Sequence, residues 1–532
     1  MRKYRSLGAA VIALMLAVTV CASIRHGCSH GERTVSAYSV PLPPAPLEQD
    51  PLSHIGEAFS VDPDFTSHLP IVILDTNGIE PPVNSRLDAA QGRFVNIDGI
   101  EPYVDGTMEL ICGESGVNSL RDTPSVTSAI RIKRRGNSSM LYEKGQWLVK
   151  LVTGSGQYND VDLLGMGPEH EWILNGSMFD KSMLRNYLAY SIASEFLPYT
   201  PDNHYCEVIS RNGDTYTYQG VYLMGESIKQ GADRVNIADY TVSRAFNSYL
   251  VRRDRLDDDA VTLETYGRLN GFSAEYLALL YPNKHSVTAD TVHYVEQDIS
   301  AIEQILYSDD PEVFAAYPRV IDVDSFVDYF LLNEFFASYD SGNFSTYFYK
   351  DLGGKLCMGP VWDYDGTMDN YLPEGLKAEH TALQTKPWFD RLCRDRTFLE
   401  RLERRYAQLR RGSLSEAHVM ERTDEIIQYL GVAQEREWAR WGHWYATQNK
   451  YSLLDEVRED GTVVHRNAST YQDEIYRLKT ALRAHGNSIP EALKALQRSA
   501  PVSTGLNEWM GWLLLLAAFV FFAPAVYVGF RK

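Results

Sequence analysis

Asp363 and Asp365 stand one residue apart in Gly359-Pro360-Val361-Trp362-Asp363-Tyr364-Asp365, behind a glycine-proline turn and a short apolar run. Upstream, Asn333-Glu334 precedes Tyr339-Asp340-Ser341-Gly342-Asn343, a second station of acidic and amide side chains. Carboxylates gathered at turns and strand ends suit a hard, oxygen-preferring cation such as Mg²⁺. Asp340 adds a candidate base and Asn343 an amide ligand, a combination that phosphoryl transfer uses. Asp363 lies between Trp362 and Tyr364, in a run expected to be partly buried. A buried carboxylate needs a cation, an arginine or several donors, and Arg135 and Arg185 are the candidate arginines. Other chemistries find little support. No HExxH pair of histidines and no GxSxG elbow occurs. Trp438, Trp441 and Trp444 recur every three residues and read as a packed helical stripe.

The elements that must position these groups are strands first and helices last. Apolar Leu69–Leu74 reads as a strand ending at the turn Asp75-Thr76-Asn77-Gly78. Further strands are expected at 92–96, 106–112, 126–133 and 146–152. In the last, Trp147, Val149 and Leu151 alternate with Leu148 and Lys150. The 3–4 spacing of Leu184, Tyr187, Leu188 and Ile192 predicts a helix over Lys181–Phe196, with Asp180 as its N-cap. Asn212-Gly213 predicts a hairpin between Tyr205–Arg211 and Thr215–Met224. Asp322–Ala337 reads as an apolar helix, followed by a hairpin across Asp351-Leu352-Gly353-Gly354. From about Pro387 to Gln497 the pattern is largely helical. The order predicts an α+β domain with a helical C-terminal part.

The formal net charge of -19 excludes nucleic acid as the main partner, because phosphate binding needs a basic face. Both ends carry membrane signals. Arg2, Lys3 and Arg5 precede an apolar run from Leu7 to Ile24, which reads as a signal peptide or an N-terminal anchor over residues 1–30. Residues 31–67, rich in Pro and Ser, read as a spacer. Trp509–Phe530 lacks charge and is followed by Arg531-Lys532, as a transmembrane helix would be. These flanking membrane segments imply a membrane protein with both termini cytoplasmic, if the first segment is retained, and residues 30–505 outside. Six cysteines show no metal-type spacing, and one disulfide among Cys112, Cys206, Cys357 and Cys393 fits an oxidising compartment.

Five local patterns follow in order: Arg135-Gly136-Asn137-Ser138-Ser139 with a strand ending Lys150-Leu151; Trp172-Ile173-Leu174 with Asp180–Asn186; Gly220–Glu226; Asn333-Glu334 leading to Asp340; and Gly359–Asp365. With these the chain, over about residues 69–441, resembles the spore coat protein H (CotH) kinase family, whose fold is atypical protein-kinase-like. The resemblance implies a domain over residues 68–500 that uses ATP and Mg²⁺. It implies that Arg135, Gly136 and Asn137 form the nucleotide-facing turn, that Lys150 contacts the phosphates, and that Glu226 lies near the base or ribose. Asp340 would be the catalytic carboxylate, and Asp363 would hold Mg²⁺ with help from Asp365 and Asn343. The stretch Glu143-Lys144-Gly145-Gln146-Trp147 departs from the Lys-Pro-Tyr-Arg-like run of similar proteins.

Two functions follow. One is a membrane-anchored kinase transferring the γ-phosphoryl group of ATP to protein hydroxyls. The other is a catalytically inactive envelope or surface protein that uses the fold for binding a partner or assembling a coat. It is motivated by the scarcity of ATP outside the cytoplasm and by the altered 143–147 stretch. A weaker third is carbohydrate chemistry with paired carboxylates.

Overall fold

A computed structural model describes residues 36–46, 50–88, 93–113, 116–136, 138–255, 260–370, 381–447, 456–457, 461, 463–464 and 467–500. Among these, no helix is long and apolar enough to cross a membrane. The apolar segments at 7–24 and 509–530 lie outside the described residues, as do Asn137 and the acidic run 257–259.

The N-terminal half is a sheet closed into a barrel. Its strands are β1 (Ile71–Asp75), β2 (Val104–Ile111), β3 (Val126–Arg134), β4 (Trp147–Val152), β5 (Glu171–Asn175), β6 (Asn203–Asn212) and β7 (Thr215–Glu226). Neighbours run β1-β2-β3-β4-β5-β7-β6, and β6 returns to β1 as a parallel pair with Val208 beside Val72. Closure turns one alternating set of apolar residues inward. Val72, Leu110, Ile132, Val149, Trp172 and Met224 form one buried cluster inside. Lys133, Leu148 and Lys150 therefore belong to the outer face. The β6–β7 hairpin forms as expected, with Asn212 paired to Thr215 and Gly213 at φ +58°.

A second, antiparallel sheet holds β8 (Tyr249–Asp254), β9 (Val261–Leu263), β10 (Tyr276–Tyr281), β11 (Thr346–Lys350) and β12 (Leu356–Met358), in the order β9-β10-β8-β11-β12. Around it lie α1 (Arg185–Ala193), α2 (Ala289–Leu306), α3 (Val323–Phe335), α4 (Arg396–Leu409), α5 (Glu416–Leu430), α6 (Ala433–Thr447) and α7 (Tyr471–Ser499). The α+β class and the helical C-terminal part are as the sequence predicts. One core, including Leu188, Val251, Phe330, Trp388 and Leu478, joins helices and sheet.

Helix α6 fastens the barrel to the helices. Lys144, in the stretch that departs from the family's pattern, is fully buried and paired with Glu437 at 2.7 Å. Arg436 forks onto Glu207 through two 2.8 Å bonds. Trp438 and Trp441 donate to the carbonyls of Lys181 and Gln219, so the tryptophan stripe is a packing face. Such buried pairs are costly to break, because the remaining charge is stranded.

Three expectations are corrected. Helix α1 starts at Arg185 rather than Lys181, because Asp180 closes a preceding turn by accepting from the Ser182 and Arg185 N–H groups. Part of the expected spacer is docked: Tyr38 is buried and donates to the Pro201 carbonyl, and Ala45 N–H donates to Gln428. Cys357 is disulfide-bonded while Cys112, Cys206 and Cys393 are free, so the bridge is not made among the last four cysteines.

Candidate active site

Two loops bring the acidic stations together. The first leaves the end of α3, whose N-cap Asp322 accepts from Ser325 N–H at 2.8 Å. Beyond α3, the Asp340 carbonyl accepts from the Asn343 and Phe344 N–H groups, closing a tight turn. Gly342 sits in that turn at φ +92°, and a Cβ there would lie 2.6 Å from Cβ of Lys386. Its carbonyl accepts from Arg253, a buried guanidinium on β8 that lies 4.3 Å from the Trp388 ring. The second loop leaves β12 and carries Asp363 at φ +69°.

Asn333 ties the two loops to each other. Its buried Oδ1 accepts from Ser341 Oγ at 2.6 Å and from Tyr364 Oη at 2.9 Å. One hydroxyl belongs to the Asp340 loop and the other lies between Asp363 and Asp365. Glu334, the other half of the upstream station, turns away and accepts from the N–H groups of Ala382 and Leu383. Ser345 Oγ donates to Asp363 Oδ2 at 3.0 Å. Both are non-glycine residues with positive φ, a form of backbone strain that concentrates at functional sites.

The loops face the outer wall of the barrel across a cavity of about 450 Å³. Asp340, Asp363 and Asp365 line it. Lys133, Arg135 and Gly136 line it from the end of β3, and Arg252 and Arg255 from the end of β8. Asp363 is exposed to this space rather than partly buried, because its positive φ turns it out between half-buried Trp362 and buried Tyr364. Neither Arg135 nor Arg185 pairs with it. Arg135 lies over the Trp362 ring at 5.5 Å, and Arg185 bonds Asp180 and Glu474. Burial, and then the charge of Asp363, raises the Asp340 carboxyl above the usual range. The same two causes raise Asp365 well above it. Among the described residues none of the three makes an ion pair.

The carboxylates share the cavity without forming a closed ligand shell. Among the described residues the trio whose ligand atoms lie within 4.8 Å of one another is Asp160, Glu169 and His170, outside the cavity lining. There Lys229 already sits 2.8 Å from Glu169. Gly136, at φ +93°, is shaped for close approach: a Cβ there would fall 2.0 Å from Ser139 Oγ.

The structure brings Arg135, Gly136, Asp340, Asp363 and Asp365 to one cavity, and leaves three predicted residues outside its lining. Lys150 pairs with Glu171 at 3.4 Å. Glu226 is buried, accepting from Tyr199 Oη, Asp202 N–H and Arg234. Asn343 contributes its backbone N–H to the Asp340 turn. Sequence reasoning missed Lys133, Arg252, Arg255 and Ser345. For Lys133 the signal was its two-residue spacing from Arg135 at the end of a strand.

The model of the family described as CotH kinase protein matches residues 132–487, more than half of the 532-residue chain. The chain belongs to the CotH kinase family. A comparison with curated proteins gave no match. The matched CotH kinase region begins within β3 and ends within α7, so it takes in every acidic and basic group named at the cavity. It leaves β1, β2 and the hairpin Ser85–Asp88/Arg93–Asn96 outside, although Ser85, Phe94 and Asn96 of that region also line the cavity. CotH kinase membership gives the chain a kinase-like function.

Proposed function

We propose that this chain is an ATP-dependent phosphotransferase that acts on protein hydroxyls with Mg²⁺. The observation that carries the reading is the mixed charge of one cavity: Asp340, Asp363 and Asp365, none in an ion pair among the described residues, share its lining with Lys133, Arg135, Arg252 and Arg255, and Asp254 lies 3.7 Å from Arg252. The charge of Asp363 helps to raise the Asp340 and Asp365 carboxyls, and a cation joining such groups relieves that repulsion, so the donor set fits Mg²⁺ held by Asp363 and Asp365. When bound, Mg²⁺ would neutralise polyphosphate charge and favour departure of the leaving phosphate.

The chain's own residues do the rest. Arg135 and the Gly136 turn receive the polyphosphate. Asp340 orients the acceptor hydroxyl and takes its proton as the oxygen–phosphorus bond forms and the β–γ bridge of ATP breaks, releasing ADP. Burial suits it to this role by raising its basicity toward neutral pH. Asn333 fixes Asp340 relative to Asp363 through the two hydroxyls it accepts. The reading places the domain at a membrane, tethered by the segments at 7–24 and 509–530.

A second reading is a binding protein that keeps the fold without transfer; the engagement of Lys150 and Glu226 in pairs away from the cavity favours it. Calorimetric titration of ATP into the full chain, with and without Mg²⁺, separates the two. Phosphotransfer requires Mg²⁺-dependent binding that Asp363→Ala abolishes, and transfer to a protein acceptor that Asp340→Asn abolishes while binding persists. A folded chain that binds no nucleotide leaves only the second reading.

A further inference from the structure

We infer that Lys133 is the lysine that holds the polyphosphate in this chain, in place of Lys150. The inference rests on the phosphotransferase reading and assigns a binding residue within it.

The cross-strand register carries the argument. On the outer face of the barrel, Lys133 of β3 stands opposite Leu148 of β4, and Arg131 stands opposite Lys150. Cross-strand partners share a face, so these are two successive rungs of one outer surface. The Lys133–Leu148 rung lines the cavity, as does Arg135 beyond it. The Arg131–Lys150 rung does not. Two residues of strand separate the rungs by roughly 7 Å, about the length of a lysine side chain. Lys150 pairs with Glu171 at 3.4 Å, and both lysines approach the Tyr103 ring, at 5.7 Å from Lys150 and 5.2 Å from Lys133.

Lys133 is half-buried, with its ammonium 5.2 Å from the Tyr103 ring. The isobutyl group of Leu148 gives its stem an apolar neighbour, an arrangement in which a lysine stem packs and its head reaches toward the polar side. Lys133 and Arg135 then bring two cations, at two-residue spacing, to the cavity that Asp340, Asp363 and Asp365 also line. An anionic chain with a divalent cation fits such a lining; a neutral nucleoside has no use for the cations.

The test is calorimetric titration of the full chain and of Lys133→Met, Lys133→Arg and Lys150→Met with three probes: Mg–ATP, Mg–tripolyphosphate and adenosine. Lys133→Met is expected to weaken both polyphosphates about 10- to 100-fold, the loss of one charge-assisted contact. Adenosine binding stays unchanged, Lys133→Arg recovers most of the loss, and Lys150→Met stays within about twofold. Loss of tripolyphosphate binding in Lys150→Met with retention in Lys133→Met overturns the inference. If Lys133→Met fails to fold by circular dichroism, Lys133→Gln replaces it, and equal binding by the Arg and Gln variants overturns it. A wild-type chain that binds tripolyphosphate but not ATP refutes the nucleotide reading and leaves Lys133 to be judged on tripolyphosphate. Binding neither refutes both.

Discussion

Two clusters of carboxylates meet at the segment 363–370, and they are built on opposite terms. In one, the rear cluster, Asp180, Arg185, Glu474 and Arg477 are buried together. Arg185 bonds both carboxylates, at 2.6 and 2.7 Å, and the carbonyls of Thr367 and Met368. Arg477 bonds Glu474, the Asp369 carbonyl and Asn370. In the other, the front cluster, Asp340, Asp363 and Asp365 have no such cations bonded to them. Charge compensated by bonded cations is structure; carboxylates that converge without a bonded cation keep a repulsion that a bound cation would relieve. The rear cluster also holds the segment that presents Asp363 and Asp365, so one builds the frame in which the other can stay uncompensated.

The sharpest way to break this comparison is to remove one carboxylate from each side. On the proposed phosphotransferase function, Asp340→Asn is expected to lower phosphotransfer by about 10²- to 10⁴-fold, the usual loss for a general base. The thermal midpoint should hold or rise, because a repelling charge has gone. Asp365→Asn should likewise keep or raise the midpoint while weakening Mg²⁺-dependent nucleotide binding. If differential scanning calorimetry finds either variant strongly destabilised, the front carboxylates are structural and the distinction falls.

The rear cluster predicts the reverse. Arg185→Met strands two buried carboxylates and is expected to cost about 3–5 kcal/mol in denaturant unfolding. It also sets an acid limit. Burial alone would raise the Glu474 carboxyl, but Arg185 and Arg477 outweigh it and hold it at about 2, below the ordinary 4.5. A depressed carboxyl adds stability that is complete above its unfolded value and is lost as pH falls through the folded one. Stability should therefore decline from about pH 4.5 toward pH 2, and the decline should be shallower in Glu474→Gln. An equal slope in both proteins places the acid limit elsewhere.

The same contrast explains what the sequence could and could not tell. Local features were legible because neighbours in the chain decide them. The apolar alternation of 147–152, the Asn212-Gly213 turn and the Asp322-capped helix all formed within a few residues of expectation. The two acidic stations were legible as residue types; Asp340, Asp363 and Asp365 line one cavity, whereas Glu334 and Asn343 do not. Barrel closure was not legible, since β1 and β6 pair across some 130 residues of chain with nothing local to mark it. Nor was Glu226, whose Arg234 partner differs in no visible way from a solvated arginine. Lys150 illustrates the boundary. Alternation puts it on the outer face, but which outer rung meets the cavity depends on where the Asp340 and Asp363 loops dock. Strand pattern carries no record of that.

The smallest predicted effect is the finest test of the comparison. Asn343 was expected among the cation's helpers, yet what it contributes to the Asp340 turn is a backbone N–H, bonded to the Asp340 carbonyl at 3.1 Å. Alanine keeps that N–H, and the Asn343 side chain is not part of the cavity wall. Asn343→Ala should therefore change stability by no more than about 0.5 kcal/mol and phosphotransfer by less than about twofold. Gly342→Ala, one residue earlier, should be far more damaging, because its backbone lies at φ +92° and its Cβ would meet Lys386. The pair separates two ways of holding Asp340, by turn geometry or by side-chain ligands. If Asn343→Ala instead weakens Mg²⁺-dependent binding tenfold, the amide reaches the cation in the loaded enzyme. The front cluster would then be completed on binding by a residue that now stands outside it.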